Sequence, residues 1–304
     1  MGSSLPLLTD AELQALEQRA HNAAANPPPH LLEQRQAGEV PSRYRGAGLD
    51  YAESRPYQPG DEPRYFDWRV TARTGKPYTK QFREERRPAV FILLDRRSRM
   101  RFGTRVRLKA AQAARVAALV AFAALQQGWA VSGMVLETQP HWMPASTDSH
   151  AIWEFVRHAA AACPPVSAYA EPSLASILPL LAPQLVRGVH VYLLSDFADL
   201  DNACEPHLLQ LLQHHPLFAV QVLDAVECAL PDAGMLALQG LDGGQPHRIN
   251  LADAHLRDTF RQQAAALHDG QEQRLRGWGC SYTRLLAEVD APEHSVPLPH
   301  GMGT

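Results

Sequence analysis

Three aspartates stand where apolar runs end. Asp95 closes Ala89-Val-Phe-Ile-Leu-Leu, Asp196 follows Val189-His-Val-Tyr-Leu-Leu-Ser, and Asp224 follows Leu217-Phe-Ala-Val-Gln-Val-Leu. Carboxylates gathered at one sheet edge supply the oxygen ligands that Mg²⁺ takes alongside water. The structural alternative is that each caps the turn or helix after its strand. Asp224, followed by Ala225-Val226-Glu227, reads as a cap. Asp95 and Asp196 remain open to both roles.

Other chemistry finds little support. There is no G-x-S-x-G elbow, no H-E-x-x-H, no G-x-x-x-x-G-K-[ST] and no G-x-G-x-x-G. Cys280 has no evident base partner. The basic turn Arg96–Arg107 could meet phosphate, but it lacks the aromatic platform that single-strand binders use. It reads better as a solvated face or a surface for an acidic partner.

The elements that would position these residues follow from the pattern. Val90–Leu94 is apolar without alternation, as in a strand buried on both faces of a parallel sheet. Ligands of open α/β sheets sit outside the carboxyl ends of such strands, which is where Asp95 falls. Strands are expected at 130–136, 189–194 and 217–223, with an edge strand at 282–286 and a short hairpin at 236–238 and 248–251. Helices are expected over 9–25, 105–127, 150–162, 173–185 (kinked at Pro179 and Pro183), 205–214 and from Leu256 onward. The alternation predicts an α/β fold with a doubly wound, mostly parallel sheet. Ahead of it, residues rich in Tyr, Arg and Gly predict a small β-rich lobe. The expected divisions are 1–37, an N-terminal helix and Pro-rich linker; 38–88, the lobe; 89–290, the α/β domain; and 291–304, a disordered Pro/Gly-rich tail.

The chain has 304 residues and a formal net charge of −3. That balance makes no demand for nucleic acid, and none is expected as a partner. Four scattered cysteines suit free thiols in a reducing compartment. No run reaches the ~20 apolar residues of a membrane span, and the start lacks the order of a signal peptide. A cytoplasmic protein is expected.

Two stretches are more specific. Arg55-Pro-Tyr-Gln-Pro-Gly-Asp61-Glu-Pro-Arg64-Tyr-Phe-Asp67-Trp68-Arg69 resembles the signature of the bacterial domain-of-unknown-function family 58. Val90–Asp95, Arg101-Phe-Gly103, Leu194-Ser-Asp196-Phe197 and Asp224-Ala-Val-Glu227 resemble that family's von Willebrand factor A-like core. The resemblance implies a Rossmann-like A domain behind a small β region. It also implies association with MoxR-type AAA+ ATPases and other A-domain proteins, in chaperone-like maturation. The implied role is a non-enzymatic interaction module; the rival is a metal-dependent hydrolase using Asp95 and Asp196.

The metal site departs from the A-domain pattern D-x-S-x-S. Asp95 and Met100 match, but the serine positions hold Arg97 and Arg99, with Ser98 between them. Asp196 matches the later aspartate, and Ser173 stands nearest the expected threonine. A guanidinium ~7 Å from a divalent ion repels it by roughly 4–5 kcal/mol at an effective dielectric of 20. The expectation is a degenerate site of Asp95, Ser98 and Asp196, in which Arg97 or Arg99 pairs with Asp95. No cofactor is expected; Mg²⁺ is the one ion the carboxylates could take. The implied partner contacts are Arg97, Arg99, Asp61, Arg64, Asp67, Trp68 and Arg69, the last five having a structural knot as their alternative reading.

Overall fold

In the computed structural model, residues 5–25, 50–58, 61–83, 88–164, 170–240 and 244–299 are described. The expected Pro27–Pro29 linker, the opening of the lobe with Gly46 and Gly48, and the Pro59-Gly60 turn lie outside them. The chain divides into a smaller unit, Val40–Arg87, and a larger one, Met1–Glu39 with Pro88–Thr304. The N-terminal helix, expected to stand apart, therefore belongs to the larger unit.

The smaller unit pairs β1 (Asp50–Pro56) antiparallel with β2 (Tyr78–Arg83). Between them runs a helix, α2 (Trp68–Thr74), where a β-rich lobe was expected. Asp67 caps its start, accepting from Val70 N at 3.1 Å, and Gly75 closes it at φ 71°. That positive φ favours glycine.

The larger unit is built on one six-stranded sheet in the order β10-β7-β6-β3-β4-β5. Its strands are β3 (Ala89–Asp95), β4 (Ala130–Leu136), β5 (His141–Ser146), β6 (His190–Ser195), β7 (Leu217–Leu223) and β10 (Ser281–Leu286). All pair in parallel except β5, the antiparallel edge. The fold is thus mixed α/β with a mostly parallel sheet. β3 is buried along its whole length. Val90, Ile92 and Leu94 enter one core, and Ala89, Phe91 and Leu93 enter the other.

Helices fill both cores. The first holds α1 (Asp10–Ala25), α3 (Lys109–Gln126) and α4 (Ser149–Ala160). The second holds α5 (Leu174–Leu181), α6 (Glu205–Leu212) and part of α8 (Ala254–Trp278). Ala-rich α3 is buried nearly all round, as a helix apolar on every side must be. Gly133 of β4 lets α4 approach: a Cβ there would lie 2.3 Å from the Phe155 ring. A short helix, α7 (Ala225–Cys228), follows β7. The expected hairpin is present as β8 (Met235–Leu238) and β9 (His247–Asn250).

The end of the chain corrects an expectation. Residues 291–299 are not a disordered tail: Pro292–His294 form a helical turn, and Val296 and Leu298 are buried. Tyr192 donates its hydroxyl to Pro297 O at 2.8 Å. Arg19 of α1 reaches across to both Glu293 carboxylate oxygens, 2.7 Å each, and to Asp290 O. Residues 300–304 lie outside the described part.

Candidate functional site at the C-terminal edge of the sheet

β3, β6 and β7 are neighbours and parallel, so their C-terminal ends bring Asp95, Asp196 and Asp224 to one edge. All three are buried, at 1%, 5% and 2% exposure. Each carboxylate is already engaged by the chain itself.

Asp95 accepts four hydrogen bonds. Oδ1 takes Arg97 N and Nε, both at 3.0 Å; Oδ2 takes Arg97 Nη2 and Ser195 Oγ, both at 2.7 Å. Burial pushes this carboxyl up, against the pull of Arg97. With four donors converging on it, we hold it ionised at neutral pH. Arg97 turns its other edge to Asp199, Nη1 to Oδ2 at 2.5 Å and Nη2 to Oδ1 at 2.9 Å, and gives its last N–H to Pro172 O. All five guanidinium donors are used. Burial works against its charge, but Asp95 and Asp199 hold Arg97 firmly protonated.

Asp196 meets a second internal cation. Lys109, at the start of α3 and 1% exposed, donates Nζ to Asp196 Oδ2 at 2.9 Å and to Glu227 Oε1 at 2.7 Å. Burial disfavours its charge, yet the two carboxylates outweigh this and raise its pKa. Asp224 caps α7 in a capping box with Glu227, in line with its reading as a cap. It also binds Thr104, accepting Oγ1 at 2.5 Å and N at 2.8 Å.

The turn that follows Asp196 is tight. Phe197 sits at φ 55°, the one non-glycine positive φ among the described residues. Such a bulky residue in the left-handed region is strained. Side chains hold it: Phe197 N donates to Ser195 Oγ, Ala198 N to Asp196 Oδ1, and Gln271 Nε2 to Phe197 O.

The remaining predicted residues spread out. Ser98 meets Glu171 through its backbone amide, at 2.8 Å to Oε2. Ser173 caps α5, accepting Ser176 N. Arg99 is exposed, and alone among Arg96, Arg97, Arg99, Arg101, Arg105 and Arg107 it has no ion pair or hydrogen bond among the described residues. Further along the same basic segment Phe102, Val106 and Arg105 are exposed, the last 3.7 Å from Glu288.

In the smaller unit, Asp61 takes Arg55 Nη2 at 2.6 Å and Gln58 N; those bonds hold its carboxyl below the usual range. Buried Asp67 accepts Ser54 Oγ at 2.5 Å besides capping α2, which likewise lowers its pKa. Arg64 pairs with Glu62 and lies 4.8 Å from the Tyr65 ring centroid. Trp68 and Arg69 face outward.

Lys109, Asp199 and Glu171 were missed in the sequence. The one available signal was that Lys109 is among only three lysines. Among the described residues, no group of three or more His, Cys, Asp or Glu side chains is arranged to hold a metal ion. Nor is any helix among them long and apolar enough to cross a membrane.

The molecule is a mixed α/β protein whose sheet edge carries its own cations. By sequence it belongs to the family described as "Protein of unknown function DUF58", whose family model matches residues 53–270. Uncharacterized proteins of Mycobacterium bovis and Mycobacterium tuberculosis are 31% identical over 247 residues, covering 81% of this chain and 77% of theirs. Among solved structures, a conserved hypothetical protein BatB from Bacteroides thetaiotaomicron aligns with a TM-score of 0.40 at 12% identity, over 63% of this chain and 98% of that one. An aerotolerance-related membrane protein from Bacteroides fragilis aligns with a TM-score of 0.37 at 12% identity, over 62% and 99%.

Proposed function

We propose that this chain is a non-enzymatic, von Willebrand factor A-like interaction module. Its sheet edge receives a protein partner, a MoxR-type AAA+ ATPase, in chaperone-like assembly or maturation of other proteins. The observation that carries this reading is the internal neutralisation of Asp95 and Asp196 by Arg97 and Lys109. A hydrolase working through those carboxylates would first have to release both from buried cations, and removing one partner of such a pair costs about 3–5 kcal/mol. Arg97 has no donor left for a partner. The contact role falls to Arg99, with Phe102 and Val106 as apolar anchors; Arg and aromatic side chains dominate such contacts.

The test is binding of the purified chain to the MoxR-type ATPase of its own genome, in ATP and in ADP. Arg99→Glu and Phe102→Ala should each weaken binding about 30-fold, the level of a strong contact residue. Failure of the ATPase to bind in either nucleotide would sink the proposal. Phosphoester hydrolysis with Mg²⁺ or Mn²⁺, lost in Asp95→Asn, would put the hydrolase in its place.

A further inference from the structure

The smaller unit has a surface that folding does not explain. α2 buries none of its residues. Trp68, at its start, is 71% exposed. Its ring stacks on Phe66 at 5.1 Å between centroids and 23° between planes, and Phe66 in turn meets Tyr57 at 5.1 Å. The outermost ring of this ladder is open to solvent.

Charge is distributed just as unevenly. Arg69, Arg73, Lys76 and Lys80 are all exposed, and none has an ion pair or side-chain hydrogen bond among the described residues. The acids of this unit whose side chains are described are already engaged: Asp61 by Arg55, Glu62 by Arg64, and Asp67 as a buried cap. Among the described residues, four cations within twelve positions thus have no ion pair, Lys80 only helping at longer range to hold the Asp67 carboxyl low. Residues 40–87 carry eleven Lys and Arg against seven Asp and Glu, whereas the whole chain carries 29 against 32. The whole-chain balance, which made no demand for a polyanion, conceals a basic unit in an otherwise acidic protein.

We propose that this unit binds single-stranded nucleic acid, with Trp68 as the stacking platform and Arg69, Arg73, Lys76 and Lys80 as phosphate contacts. Sequence-tolerant single-strand sites combine these two features, a row of cations for the backbone and aromatic faces for the bases. An acidic protein segment would satisfy the cations but gives no reason for an open indole face backed by a second ring. A duplex keeps its base faces stacked and offers nothing flat to Trp68.

Fluorescence anisotropy of the full chain with labelled 20-mer oligothymidylate and oligouridylate, with polyglutamate as competitor, tests this. Binding to the oligonucleotides should weaken with salt along a log–log slope of about −3, from ~0.7 per phosphate contact. Trp68→Ala should weaken binding about 10-fold at an unchanged slope, the effect of one lost stack. Lys80→Gln should reduce the slope by ~0.7. Tighter oligouridylate binding points to RNA as the natural strand, tighter oligothymidylate binding to DNA. No binding at low salt overturns the proposal. Displacement by polyglutamate at equal charge, with Trp68→Ala indistinguishable from the parent, overturns it in favour of an acidic protein ligand.

Discussion

Arg97 lies edge to edge with Asp95, Nε to Oδ1 at 3.0 Å and Nη2 to Oδ2 at 2.7 Å, at the end of the most buried strand. The guanidinium takes the side of the carboxylate that a metal ion would need. Arg97→Ser should therefore destabilise the chain by about 3–5 kcal/mol, because Asp95 is left buried and unpaired. The same change frees the carboxylate and adds a hydroxyl. Mg²⁺ should then raise the melting temperature of Arg97→Ser and leave the parent's unchanged, with or without chelator. A parent that melts earlier in chelator would show that an ion already occupies the site.

Lys109 stands between Asp196 and Glu227 with its ammonium out of water. Lys109→Met should cost about 3–5 kcal/mol by urea unfolding, and adding Asp196→Asn should recover much of it. The pKa of Lys109 is raised in the fold. Its contribution is therefore complete below the unfolded-state value of about 10.4 and is lost only as the pH climbs through the raised one. The penalty should be flat from pH 6 to 9, below the pH of ~10 at which a lysine begins to titrate.

Thr104 ties the loop that carries Phe102 and Val106 to Asp224. Burial pushes the Asp224 carboxyl up, but the bonds from Thr104 and Val226, with Lys109 nearby, outweigh it and hold it below the ordinary value. A depressed carboxyl stabilises above its unfolded pKa of about 3.9 and stops doing so as the pH falls through the folded one. Thr104→Val should cost about 1.5–3 kcal/mol at neutral pH, the range for a bond to a charged group. The difference should shrink in acid below pH ~4. An equal penalty at every pH would mean that the loss is packing, not the charged bond.

Val296 and Leu298 are 1% and 2% exposed. Ending the chain after Asp290 removes both from the core, at about 1.5–3 kcal/mol each. The truncated protein should unfold at markedly lower urea than the full chain.

The buried strand was legible because Val90–Leu94 has no polar residue to place it otherwise, and Asp95 marks where burial ends. Lys109 was not: a lysine after a basic run looks solvated until the sheet brings in Asp196 from 87 positions away and Glu227 from 118. β5 was missed because Pro144 argues against a strand, yet an edge strand tolerates proline. α2 went unread although Asp67 and Gly75 bracket it as N-cap and C-terminal stop. In the closing segment, proline-rich composition hid two alternate apolar positions, Val296 and Leu298.

Arg19 and Glu293 are 274 positions apart, and their contact joins the two segments of the larger unit that flank the smaller one in sequence. During synthesis α1 leaves the ribosome long before Glu293, 274 positions later, can clasp it. Until then α1 can rest against α3 and reach Arg157 of α4 through Asp10, with no closure from the far end. A nascent chain stalled before residue 290 would therefore display the face that Val296 and Leu298 later cover.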